Sequence, residues 1–108
     1  MMGGPNAKAV REMQNRLAKI QDELAEATVE ATAGGGAVTV TISEIGMGPA
    51  QARVQGVKIS PEAVDPEDIE TLEDLIVAAV NEALSKAQKL AADKVAPLTG
   101  GMKLPGMP

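Results

Sequence analysis

The sequence predicts an α+β fold in which a long N-terminal helix, an antiparallel β-hairpin and a long C-terminal helix follow one another. Three observations predict it. Apolar residues recur every three or four positions near both ends of the 108-residue chain, and in the middle they alternate with polar residues. Glycines and prolines separate these segments. Because a chain of this length forms a single domain, we place that domain at residues 6–96, after a flexible start at 1–5 and before a flexible Gly/Pro/Met tail at 97–108.

The first helix is predicted from about Asn6 to Thr32. Its apolar positions have the alternating three-four spacing of a coiled-coil seam, but an amphipathic helix packed on its own domain fits equally, because alanines make a weak seam. Three glycines from Gly34 are expected to end the helix and reverse the chain. A phosphate-binding loop is not expected there, since such a loop follows a strand rather than a helix. The seam positions are Val10, Met13, Leu17, Ile20, Leu24, Ala27 and Ala31.

The middle of the chain predicts two strands and leaves a third open. Residues 37–45 alternate cleanly between apolar and polar side chains, and residues 51–59 form a second strand. Gly56 shifts the apolar phase of the second strand, as a bulge or a break into a short third strand would do. The close spacing predicts an antiparallel hairpin, which needs a helix or another chain to cover it.

The C-terminal helix is predicted from Asp65 to Val95. Asp65 suits the cap, Pro66 suits the first helical position, and Pro97 ends the apolar pattern. A helix of this length is about 45 Å long, so other elements must pack along it. Its apolar stripe consists of Ile69, Leu72, Ile76, Val80, Ala83, Ala87 and Leu90, widened by Leu75, Ala79 and Leu84.

The composition argues against an enzyme. The chain has no His and no Cys, so it lacks a Ser–His or Cys–His pair and an imidazole or thiolate metal site. The acidic residues at 65–74 are explained by helix capping and the helix dipole, so we expect no metal and no organic cofactor. The absence of Cys, of a signal peptide and of an apolar run of about 20 residues predicts a soluble cytoplasmic protein without membrane contact.

The absence of Phe, Tyr and Trp predicts a thin core and therefore a homodimer. A second chain would supply the apolar surface that one chain lacks. We expect the interface to use the apolar residues of the two strands, with two residues of the C-terminal helix beneath them. These residues are Val38, Val40, Ile42, Val54, Val57, Leu72 and Ile76.

The charges are segregated along the chain, although the net charge is −5. Residues 1–20 carry four basic residues against one acid, Glu12, whereas residues 62–82 carry eight acids and no base. From Lys86 onward there are four lysines against Asp93. Solvated helix faces commonly carry such charges, but a local basic patch can also attract phosphate.

Four segments resemble the YbaB/EbfC family of bacterial nucleoid-associated proteins. They are AGGGAVTVTI at 33–42, QGVKISPEAVDPED at 55–68, IETLEDLIVAAVNEALSKAQKL at 69–90 and LTGGMKLPGM at 98–107. Together they cover nearly the whole chain. The sequence departs from the family pattern in a longer hairpin connection at 43–50 and in Ser60, where Asp is common.

The resemblance implies an intertwined homodimer that joins through its central sheets and projects its helices like tweezer arms. It also implies binding of duplex DNA with loose sequence preference, a role in nucleoid organisation or gene regulation, and recombination or replication proteins as candidate partners. A dimeric structural or adaptor protein, binding another protein through its long helices, is the alternative. The DNA-contacting residues that the resemblance and the charge pattern indicate are Lys8, Arg11, Arg16, Lys19, Lys86, Lys89 and Lys94.

Overall fold

In chain order, one helix precedes a three-stranded sheet and a second helix follows it, as a computed structural model describes for residues 5–47 and 51–99. The predicted α+β class is confirmed. The flexible segments predicted at 1–5 and 97–108 lie largely outside the described residues. The elements are α1 (Pro5–Glu26), β1 (Val29–Ala33), β2 (Val38–Ser43), β3 (Arg53–Ile59), a 3-10 turn (Pro61–Ala63) and α2 (Ile69–Thr99).

The predicted extent of the first helix is wrong, because α1 ends at Glu26 and residues 29–33 form β1. Val29, Ala31 and Ala33 are two residues apart, which suits a strand. Ala27 and Ala31 are four residues apart, which suits a helix equally well. Pairing with β2 decides between the two: Ala31 lies opposite Val40 and is buried. The glycines from Gly34 therefore make the β1–β2 turn rather than a helix cap, and all three have positive φ.

The sheet is antiparallel, with the order β1-β2-β3. The hairpin of β2 and β3 is as predicted. Thr41 pairs with Gly56 while Ile42 pairs with Val54, so Gln55 is one residue extra and forms a bulge. The phase shift in the second strand is thus a bulge, and the third strand of the sheet is β1.

The core lies between the sheet and α2. Every second residue of β2 is fully buried beneath the helix, as its alternation predicted. On α2 the buried positions are Ala79, Ala83, Ala87 and Ala91, four residues apart. Alanine at each of these positions lets the helix backbone approach the sheet closely. Larger residues flank this alanine stripe and are half-buried, namely Leu72, Leu75, Ile76, Val80, Leu84 and Leu90.

The start of α2 is four residues later than predicted. Asp65 caps a preceding turn: its carboxylate accepts the Glu67 N–H at 3.0 Å, and its carbonyl accepts the Asp68 N–H at 2.9 Å. Asp68 then caps the helix, accepting from the N–H of Thr71 at 3.4 Å and its hydroxyl at 2.7 Å. Pro97 does not end the helix, since only one main-chain bond is lost there and the helix continues to Thr99.

Candidate nucleic-acid interface

The N-terminal half of α1 extends away from the rest of the described residues. The end of α1 lies against the second half of α2, where Lys94 Nζ is 3.2 Å from Glu23 Oε1. Between Glu23 in α1 and Glu30 in β1 the chain runs against the direction of α2, because Glu23 meets Lys94 and Glu30 meets Lys86, eight residues earlier. All side chains from Lys8 to Arg16 are exposed, so this half of α1 is not packed against the other described elements, and residues 5–17 are about 20 Å long. The overall dimensions, 73 × 30 × 18 Å, agree with such an arm.

The projecting part of α1 has a basic face. Lys8, Arg11 and Lys19 lie with Asn15 within about 80° of one another around the helix axis, and all four side chains are exposed. Arg16 is exposed at the border of this face. Within residues 5–47 and 51–99, no ion pair engages any of these four basic side chains. We call Lys8, Arg11, Asn15, Arg16 and Lys19 the α1 basic face.

The predicted lysines of α2 differ in their freedom to bind a ligand. Lys86 Nζ donates to the main-chain oxygen of Glu30 at 2.9 Å, and Lys94 pairs with Glu23, so both are engaged within the chain. Lys89 is exposed and lies 3.9 Å from Asp93, one turn further along α2. A pair this exposed is worth little. Lys89 is therefore the α2 lysine most available to a phosphate.

One contact joins the basic groups of the two helices. Glu23 is one helical turn from Lys19 on the same side of α1. Because Lys94 reaches Glu23, it lies beside the end of the α1 basic face. The structure thus brings Lys94 close to the α1 set, whereas Lys86 faces β1.

The acidic residues lie at the other end of α2. Asp65, Asp68 and their neighbours are exposed and occupied with the turn and helix caps. The Ser60 hydroxyl donates to Glu62 and, with a main-chain hydrogen bond, lowers the pKa of that carboxyl below its usual 4.5. In the described part of the chain no three acidic side chains converge as a metal site would require.

An apolar valley runs between β3 and α2. The helix packs over β1 and β2, and this leaves Val54 and Val57 of β3 exposed by 42% and 44%. Val77 of α2, 58% exposed, lies half a turn around the helix from Lys86. Since Lys86 reaches β1, Val77 is on the β3 side. The valley consists of Val54, Val57, Val77 and the half-buried Val80 and Leu84.

The structure separates the predicted interface residues into two groups. Val38, Val40 and Ile42 are fully buried by the chain's own α2, so they have no exposed surface for a second chain. Val54 and Val57 are exposed, and Leu72 and Ile76 are half-buried beside the core. Sequence analysis missed Val77, because it lies outside the main apolar stripe of α2. A large apolar residue among exposed acids was the only signal for it.

Comparisons with known proteins give one consistent result. A sequence model of the YbaB/EbfC DNA-binding family matches residues 2–102. A protein named nucleoid-associated protein from Roseiflexus castenholzii is 53% identical over 89% of each chain. Another of that name from Pelotomaculum thermopropionicum is 46% identical over 99% of each chain.

A solved structure shares the fold. The crystal structure of an uncharacterised protein from Helicobacter pylori superposes with a TM-score of 0.63 at 14% identity. The match covers 83% of this chain and 98% of that one. In the described residues, neither helix is long and apolar enough to cross a membrane.

Proposed function

Since this chain belongs to the YbaB/EbfC DNA-binding family, we propose that it binds duplex DNA as a homodimer, with little sequence specificity, and organises the nucleoid. The observation that carries the proposal is the α1 basic face. Its side chains are exposed, lie on an arm that projects from the domain, and stand apart from the acids that begin α2.

The chemistry of that face suits phosphate rather than bases. Lysine and arginine neutralise phosphates and release counterions, which gives affinity for any duplex. The chain has no aromatic side chain to stack on unpaired bases. Any sequence preference comes from DNA shape or from side chains that reach a groove edge, namely Arg11, Gln14, Asn15 or Arg16. The net charge of −5 opposes approach only weakly, because at 0.1 M salt repulsion is screened beyond about 10 Å.

The apolar valley supports the dimeric part of the proposal. Among the described residues β3 is an edge strand with two half-exposed valines, so apolar surface and main-chain hydrogen-bonding groups lie uncovered there. A second copy would cover them, with Val54, Val57 and Val77 in contact and Leu72 and Ile76 beside them. The fully buried residues of β2 would support the interface from below. Such a dimer carries two projecting arms, and each would present its basic face to DNA.

The cellular role follows from the chemistry. Binding without sequence readout suits a protein that coats or bridges many sites on the chromosome. We place the protein in the cytoplasm on the nucleoid, with influence on gene expression or repair, and with recombination or replication proteins as candidate partners.

The adaptor function is the second candidate, and one observation favours it. Val10 and Met13 are 56% and 44% exposed on the projecting arm, on the side away from the α1 basic face. That apolar surface could bind another protein's helix. On this alternative the basic residues only keep the arm solvated.

A titration of unrelated duplexes separates the two candidates. The protein is added to two labelled duplexes of different sequence at several salt concentrations, and binding is followed by fluorescence anisotropy. The DNA-binding proposal predicts similar affinities for both duplexes and a slope of log affinity against log salt of about −0.9 per phosphate contact. If neither duplex binds at low salt, the adaptor function replaces it.

A further inference from the structure

An acidic side chain lies between the basic groups of α1 and α2. Glu23 comes four residues after Lys19, about 6 Å further along the same side of α1. Its Oε1 atom accepts a hydrogen bond from Lys94 Nζ at 3.2 Å, and both side chains are 40% exposed. The pair therefore stands at the end of the α1 basic face, where a ligand bound to that face can reach it.

The pair removes one positive charge from the surface that would face DNA. A phosphate oxygen and a carboxylate oxygen make the same kind of contact with a lysine, because both accept from its ammonium group. While Lys94 is bound to Glu23, a phosphate at this place meets no free ammonium group. It also meets a carboxylate within the screening length, which is about 10 Å at 0.1 M salt. Glu23 thus competes with phosphate for Lys94.

Lys94 can exchange the carboxylate for a phosphate without a change of fold. Its ammonium group carries three donors on a flexible four-carbon stem, so it can turn from one acceptor to another nearby. Because the pair is partly open to solvent, little free energy holds it together. The end of α1 is anchored independently of the pair, since Leu24 is fully buried in the core with the alanine stripe of α2.

We propose that Glu23 limits the affinity for DNA by holding Lys94, which becomes a phosphate contact when Glu23 is neutral. Because the ligand is the same duplex DNA, this role of Glu23 rests on the proposed function. Asp22 and Glu26, the neighbouring acids of α1, are exposed and have no ion pair within residues 5–47 and 51–99. They would repel phosphate by their charge alone, whereas Glu23 also acts through Lys94.

Neutralising Glu23 tests this competition, with Asp22 as the matched control. Glu23→Gln and Asp22→Asn each remove one negative charge within four residues of Lys19, but Lys94 is paired with Glu23 and not with Asp22. Each change is also combined with Lys94→Gln. The affinities of wild type and the four variants for two unrelated duplexes are measured by fluorescence anisotropy at several salt concentrations. Circular dichroism checks that each variant keeps the fold.

The proposal predicts that Glu23→Gln raises affinity about fivefold more than Asp22→Asn does, and that it steepens the salt slope by about 0.9, the value for one added phosphate contact. Lys94→Gln should then cost more affinity in the Glu23→Gln background than in the Asp22→Asn background, and it should remove the added slope.

Two results would overturn the proposal while DNA binding stands. They are equal affinities of the Glu23→Gln and Asp22→Asn proteins, and a gain from Glu23→Gln that Lys94→Gln leaves intact. A wild-type chain that binds neither duplex at low salt would instead refute DNA binding itself, and the role of Glu23 with it.

Discussion

Lys94, in the last third of α2, is bound to Glu23 of α1 at 3.2 Å, across 71 residues of sequence. Both side chains are partly exposed, so the pair contributes at most about 1 kcal/mol. The pair marks where the end of α1 lies on α2, and the bond from Lys86 to the main chain of Glu30 marks where β1 lies on it. The arm that carries the α1 basic face begins at this point.

Lys86 and Lys94, which contact Glu30 and Glu23, should matter less to DNA binding than Lys89, whose pair with Asp93 is exposed. Replacing Lys89 by Gln removes an exposed charge and should weaken binding by about one phosphate contact, which also reduces the salt slope by about one. Replacing Lys86 by Gln removes the bond to Glu30 and should lower stability more than affinity. Anisotropy titrations and urea unfolding of both variants check this. Equal loss of affinity from the two changes would contradict the distinction.

Two valines on paired strands should give opposite results when changed to Asp. Val40 is fully buried, and Val40→Asp should unfold the chain because it buries an unpaired charge. Val57, its partner across the sheet, is 44% exposed. Val57→Asp should preserve the secondary structure of the single chain but prevent dimerisation.

Sedimentation and circular dichroism of the Val57 variant test the proposed interface. Lys58→Asp is the control, since its side chain points to the opposite face of β3. It should remain dimeric. A Val57→Asp protein that sediments as a dimer, or a wild-type chain that is a folded monomer at micromolar concentration, would exclude this interface.

Two glycines of the β1–β2 turn allow the cost of backbone strain to be measured separately from the cost of a close side-chain contact. Gly34 and Gly35 have φ of 65° and 67°, so Ala at either position should cost about 1–2 kcal/mol. A Cβ at Gly34 would also lie 3.0 Å from Cδ2 of Leu75, whereas one at Gly35 meets nothing within 4 Å. Gly34→Ala should therefore reduce the free energy of unfolding more than Gly35→Ala. Urea midpoints at one fixed protein concentration measure both. Equal midpoints would mean that Leu75 moves aside at no cost.

The alanine stripe of α2 should not accept a larger side chain. Ala83 is fully buried against the sheet, so Ala83→Leu should lower the free energy of unfolding by about 1–3 kcal/mol through overpacking. Ala78 is exposed on the same helix, and Ala78→Leu serves as the control with an effect within about 0.5 kcal/mol. Thermal or urea unfolding gives both values. A neutral Ala83→Leu would show that the helix packs loosely on the sheet.

A segment's secondary structure could be predicted where its apolar residues fit either a helical or a strand period, but not where they fit both. The alternation of β2 gave one answer, because Val38, Val40 and Ile42 enter a core and their neighbours do not. Around Ala31, helical and strand periods coexist, and pairing with residues 38–42 decided for a strand. Such pairing depends on distant residues, so local propensity could not reveal it.

The residues of the candidate site also differ in whether the sequence could predict their role. Helical spacing predicts that Lys8, Arg11 and Lys19 share a face, but spacing alone fits a solvated surface better, and the family resemblance was needed to assign that face to DNA. The difference between Lys86 and Lys89 was not predictable, because the bond from Lys86 to Glu30 spans 56 residues and exists only once α2 lies on β1. Likewise, the sequence indicated that the apolar residues of β2 would be buried, but it could not show whether α2 of the same chain or a second chain covers them.

Reversing the charge of the α1 basic face tests whether that face binds duplex DNA. Arg11→Glu with Lys19→Glu changes the net charge by the same amount as Arg53→Glu with Lys58→Glu, two exposed residues of β3, which lies at the opposite edge of the sheet from β1. Both double variants should keep the fold and the dimer, since none of the four side chains is buried.

Affinity for two unrelated duplexes at low salt is then measured for wild type and both variants. If the α1 basic face binds DNA, the α1 variant loses at least tenfold in affinity for both duplexes, with a shallower salt slope, and the β3 variant loses several-fold less affinity. An α1 variant that binds as tightly as wild type, or a β3 variant that loses as much, would contradict binding by this face.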